Sequence, residues 1–108
     1  MITTHVLDTA LGRPAAGVPV VLERRDGAGW QPVGSGVTDG DGRLRTLDPP
    51  RLAGTYRIRF DTAAYFRASG QAGFYPFVEV VFEVTDAAAH HHVPLLLSPF
   101  GYSTYRGS

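Results

Sequence analysis

Short stretches in which apolar and polar residues alternate recur along this chain, each broken within a few positions by glycine, proline or aspartate. Thr55–Phe60 is the cleanest of them. Tyr56, Ile58 and Phe60 fall on one face of an extended segment, and Thr55, Arg57 and Arg59 fall on the other. Val18–Glu23 behaves alike, with Val18, Val20 and Leu22 set against Pro19, Val21 and Glu23. The same reading predicts strands at Ile2–Leu7, Trp30–Val37, Arg43–Leu47, Phe77–Val84, His91–Leu97 and Tyr102–Tyr105, eight in all. Turn residues cluster at Gly12–Pro14, Asp26–Gly29, Asp39–Gly42, Asp48–Pro50 and Gly70–Gly73, which suits an all-β sandwich or barrel. One segment breaks the rhythm. Asp61–Gly70 opens on capping residues, continues with helix formers and closes on glycine, predicting one helix of two to three turns.

Composition narrows the chemistry. The 108 residues suffice for one core and are too few for two. Basic and acidic side chains balance at ten each, so a nucleic-acid or anionic-lipid surface is not expected. All ten basic residues are arginine, which excludes a Schiff-base or P-loop lysine. The absence of cysteine removes disulfides, thiolate metal sites and thiol nucleophiles together. The opening MITTHVLD has neither a basic nor an apolar leader region, and the ending Arg-Gly-Ser is not a peroxisomal address, so a cytoplasmic location is expected. No apolar run approaches the roughly 18 residues of a membrane helix.

Candidate acid–base chemistry rests on four histidines: His5, and the run His90, His91, His92. Strand parity sorts them. With Val93, Leu95 and Leu97 facing inward, His90 and His92 share the outer face, and with Val6 inward His5 is outside as well. Histidines from opposite ends of the chain are thus expected on one outer surface. A solvated strand face is the bland alternative. A zinc site built from His5, His90 and His92 is another, although no acidic residue is placed to complete it. Asp39-Gly40-Asp41-Gly42 opens like a calcium loop, but Arg43, Leu44 and Pro50 occupy positions that such a loop reserves for other residues, so it reads as a turn. The ending SPFGYSTYRGS carries aromatic and hydroxyl side chains almost to its last atom, which suggests a terminus that is packed or used.

Four stretches taken together, THVLDTALGRPA, TDGDGRL, DTAAYFRASGQAGFYP and HHHVPLLLSPFGYSTYRGS, resemble the 5-hydroxyisourate hydrolase family, the transthyretin-related enzymes of purine breakdown. The resemblance covers essentially the whole chain, residues 1–108, as a single domain. It implies a transthyretin-like (prealbumin-like) sandwich of two four-stranded antiparallel sheets with one short helix. It further implies a homotetramer, a dimer of dimers, with active sites in clefts where the dimers meet and with neither metal nor cofactor. Carried over residue by residue, the catalytic set is His5 of THVLD, Arg43 of the DGR turn, His92 before VPLL, and the final Ser108. Tyr105 of YRGS joins His5 and Arg43 in holding a small-molecule substrate, while His90 and His91 receive no role. Hormone-carrying transthyretins lack this set and the YRGS ending, which disfavours a pure carrier.

Overall fold

Burial follows the alternation. Val18, Val20, Leu22, Tyr56, Ile58 and Phe60 are almost wholly removed from solvent in the computed structural model, which describes residues 1–47, 49 and 52–108. The elements in chain order are β1 Ile2–Asp8, β2 Arg13–Pro14, β3 Pro19–Asp26, β4 Gly29–Val37, β5 Arg43–Leu44, β6 Gly54–Phe60, α1 Thr62–Ala68, β7 Val78–Val84, β8 His91–Ser98 and β9 Gly101–Thr104. They build two sheets. One runs β4-β3-β6-β7; the other runs β2-β1-β8-β9, with β5 also paired to β1. The core lies between them, Val6, Leu95 and Leu97 from one sheet meeting Val20, Leu22, Ile58 and Phe60 from the other. Apolar burial of this kind contributes about 25 cal/mol per Å².

Two sheets and one short helix agree with the sequence reading, and three details differ. Arg13–Pro14, read as part of a turn, adds a two-residue strand beside the end of β1. Arg43–Leu47 contracts to Arg43–Leu44. The second sheet is neither four-stranded nor wholly antiparallel, because β1 and β8 pair in parallel from Ile2↔His91 to Asp8↔Leu97. Alternation tells which face a side chain takes, not which strand lies alongside or in which sense. The Asp48–Pro50 turn cannot be placed in full, since Asp48 and Pro50 lie outside the described residues.

The helix is locally specified. Asp61 caps it by accepting the Ala64 N–H at 3.0 Å, and Tyr65 and Phe66 turn their rings inward. Tyr65 also donates its hydroxyl to the buried Asp8 carboxylate at the end of β1; Gln71 Nε2 donates at 2.9 Å, and the Ala10 and Leu11 N–H groups fill the other oxygen. Burial alone would raise the Asp8 pKa, but these donors outweigh it and hold the carboxyl below its ordinary value. Burial and the bond to Asp8 push the Tyr65 phenol up to about 12. The helix thereby anchors one end of β1.

The other anchor is the turn before β5. Asp39 Oδ1 accepts the backbone N–H groups of Asp41 at 2.9 Å and Arg43 at 3.0 Å, and Val6 N–H donates to the Gly42 carbonyl at 2.7 Å. Gly42 has φ +74°, and a Cβ there would collide with the Val6 carbonyl oxygen. Gly42→Ala is expected to lower stability by about 2–4 kcal/mol, combining left-handed strain with backbone displacement. Gly40→Ala, which meets nothing within 4 Å, should stay within about 0.5 kcal/mol. Urea denaturation midpoints of the two variants check the contrast.

Candidate active site

Register, rather than proximity in sequence, assembles the polar cluster. The outer face of β1 presents Thr3 and His5, two positions apart. Across the parallel ladder Thr3 faces His92, and across the antiparallel one His5 faces Arg43. His90 lies two positions before His92, and its ring centroid is 6.3 Å from that of His92. Three segments from the beginning, middle and end of the chain therefore deliver Thr3, His5, Arg43, His90 and His92 to one face.

The chain's last residues close the cluster. Gly107 N–H donates to the His92 carbonyl at 2.9 Å, forming a short antiparallel bridge beyond the end of β9. A Cβ on Gly107 would press on the His92 ring, so only glycine lets the tail lie this close. Ser108 then borders an open pocket of about 190 Å³, together with Thr3, Arg43, Arg45, His90 and His92.

Hydrogen bonds orient the imidazoles. His5 Nε2 lies 2.8 Å from the Asp41 carbonyl oxygen; a carbonyl only accepts, so Nε2 carries a proton and the neutral ring has its lone pair at Nδ1. His92 Nδ1 lies 2.8 Å from Thr3 Oγ1. Burial first, and then electrostatic repulsion from Arg43, His90 and His5, depress the His92 pKa below its ordinary value, against a smaller opposing effect of a hydrogen bond with the Thr3 backbone. At neutral pH this ring is an uncharged base.

Of the residues named from sequence, Arg43, His92 and Ser108 border one pocket, and His5 is Arg43's strand neighbour. Tyr105 stands apart. It is exposed and lines a separate cleft of about 240 Å³ beside Val80–Glu83 of β7, a cleft that His92 also reaches. His91 points to the opposite side from His92, buried, with Nδ1 donating to the Ala89 carbonyl at 3.1 Å, a structural placement. Sequence reasoning overlooked Thr3. Strand parity puts it on the same face as His5, but a threonine on a strand carries no chemical signal by itself. Among the described residues no three His, Cys, Asp or Glu side chains are disposed to hold a metal ion, so the zinc alternative lacks its ligand geometry.

Comparison with known proteins gives the relationship. The model of a family described as HIUase/Transthyretin matches residues 2–107. A 5-hydroxyisourate hydrolase from Caulobacter vibrioides is 50% identical over 112 residues, covering 99% of this chain and 97% of that protein. Among solved structures, the 5-hydroxyisourate hydrolase of Klebsiella pneumoniae superposes with a TM-score of 0.86 at 36% identity, covering 99% of this chain and 98% of the other. Sea bream transthyretin in complex with thyroxine gives 0.92 at 34% identity, covering 98% and 93%. Backbone likeness alone does not separate an enzyme from a carrier on this fold.

Proposed function

The chain belongs to the HIUase/transthyretin family, and from that premise we propose that it opens the six-membered ring of 5-hydroxyisourate by acid–base hydrolysis without a metal. It is an enzyme: its similarity to curated hydrolases spans their length and its own. The observation that carries the mechanism is the meeting of two histidines and an arginine on one outer strand face, delivered by the registers of β1 with β5 and β8.

The reaction needs a base for water, compensation for charge on the carbonyl oxygen, and a proton for the leaving nitrogen. Water adds to a ring carbonyl, the carbon–nitrogen bond breaks, and the product is 2-oxo-4-hydroxy-4-carboxy-5-ureidoimidazoline. His92, neutral at physiological pH, takes the proton of the attacking water. The proton that His92 has gained then passes to the leaving nitrogen, and His5, with its lone pair at Nδ1, supports that step by accepting a hydrogen bond from substrate or water. Arg43 offers a planar fork of donors that binds the flat substrate and offsets oxyanion charge. Ser108 hydrogen-bonds water or substrate at the pocket rim, and Tyr105 contributes from the adjoining cleft.

A pocket of about 190 Å³ lies below the 300 Å³ or so from which enclosing ligand sites begin. Another surface must cover it. A homotetramer, assembled as a dimer of dimers, supplies that surface. The edges of the sandwich support such an assembly: among the described residues β7 pairs only with β6 and β9 only with β8, and Val81 and Tyr102 on them are exposed.

The test is the decay of freshly generated 5-hydroxyisourate, followed by ultraviolet absorbance and circular dichroism. Accelerated decay to one product enantiomer is the expected result. Decay at the uncatalysed rate would instead favour a ligand carrier, the reading that the sea bream superposition suggests. The pH profile has a defined sign. Protonating His92 removes the base, so kcat/KM should hold above pH 6.5 and fall through a lower value set by the depressed pKa. Removing the positive charge at Arg43 should shift this limb upward. A limb above 6.5 in the wild type would exclude His92 as the base.

A further inference from the structure

The contact between His92 and Thr3 is half of a longer arrangement. Thr3 Oγ1 lies 2.8 Å from His92 Nδ1 and 2.9 Å from His90 Nε2, so one hydroxyl joins two imidazoles. We propose that Thr3 and His90 are positioning residues which, through this bridge, hold His92 as the tautomer protonated on Nδ1 and leave its Nε2 free to act as the base. The proposal rests on the catalytic reading of His92 given above, and it assigns work to a histidine that the sequence left without any.

The argument is one of valence. A hydroxyl has a single proton and two lone pairs, so it cannot donate to both rings. In one arrangement His92 Nδ1–H donates to Thr3, and the Thr3 proton goes to His90 Nε2. His92 Nε2, which has no protein partner among the described residues, then keeps its lone pair. In the reversed arrangement Thr3 donates to His92 Nδ1, His90 Nε2–H donates to Thr3, and His92 carries its proton on Nε2, where it cannot accept one from water. Where both rings donate to the two Thr3 lone pairs, His92 is again protonated on Nδ1. Where the Thr3 proton lies between the rings His90 decides, because as an acceptor it draws that proton away from His92. The first arrangement also fits the reaction. When His92 takes a proton it becomes an imidazolium, and its Nδ1–H then points at an oxygen already polarised by donation to His90.

The fold makes the bridge rigid. Thr3 is 5% exposed, so water competes little for its hydroxyl. It is fixed directly opposite His92 in the parallel ladder, and its neighbour Thr4 turns inward to donate to the Val93 carbonyl at 2.6 Å. His90 is at the surface, where its ring can be changed without disturbing the core.

The experiment compares Thr3→Val, Thr3→Ser and His90→Phe by imidazole nitrogen NMR of the unliganded protein and by steady-state kinetics. Wild type should show His92 protonated on Nδ1. Thr3→Val removes the acceptor, and His90→Phe frees the Thr3 proton to point at Nδ1; both should move His92 toward the Nε2–H tautomer. Turnover should fall about 10-fold in Thr3→Val, on the scale of losing a partner that orients a functional histidine, with KM within about twofold. Thr3→Ser should restore both tautomer and kcat. A Thr3→Val or His90→Phe protein that is folded and retains the Nδ1–H tautomer would overturn the relay, as would a wild type already protonated on Nε2. If Thr3→Val fails to fold, His90→Phe alone decides. The NMR readout needs no substrate, so a wild type that fails to accelerate 5-hydroxyisourate decay would sink the functional proposal while the relay is still judged by its tautomer.

Discussion

His92→Asn will lower kcat by about 10²–10⁴-fold, the usual contribution of a positioned acid–base group. Asparagine keeps a polar atom near the place of Nδ1, so contact with Thr3 and the shape of the strand can persist while the titrating nitrogen disappears. The outward position of His92 on β8 leaves the packing of Val93 and Leu95 untouched, and the denaturation midpoint should hardly move. The loss should therefore appear as chemistry rather than as unfolding. Initial rates of 5-hydroxyisourate consumption, corrected for spontaneous decay, measure it. A variant within threefold of wild type would remove His92 from the proton-transfer step.

Arg43→Gln should cost about 10²–10³ in kcat, the range for deleting one preorganised donor to a developing oxyanion, and should raise KM because ground-state binding is lost as well. Lysine is not expected to rescue it, since an ammonium cannot present two parallel donors to a flat substrate. The same variant carries an internal control. Arg43 is among the charges that depress His92, so its removal should shift the His92 titration upward even without substrate. A loss of turnover without that shift would place Arg43 too far from His92 to share its site; the shift without loss of turnover would deny it a part in the chemistry.

Much of this was legible in the sequence because strand faces are a matter of counting. Val6 inward and His5 outward, Tyr56, Ile58 and Phe60 inward, and Asp61 as the helix cap all follow from local pattern, and each is found so. Pairing is not local. Nothing in Ile2–Asp8 or in His91–Ser98 announces that the two run side by side in the same direction, and it is that register which puts Thr3 against His92. The Asp39–Gly42 turn was legible as a turn but not in its role. Its Asp41 carbonyl orients His5, and its Asp39 side chain binds the backbone of Arg43. The family resemblance gives His90 no role and local pattern gives Thr3 none; each becomes chemically meaningful only through a third residue far away in the chain.

The parallel seam between β1 and β8 also fixes when the molecule can become competent. Thr3 and His92 are 89 positions apart, so the side of β1 that faces β8 has no partner until β8 has been synthesised, whereas β2 and β5 are available to β1 much earlier. Contacts of such long sequence separation form late and fold slowly, because a large loop must close before they yield any stabilisation. In the interval that side of β1 is an unsatisfied edge, open to pairing with the wrong chain.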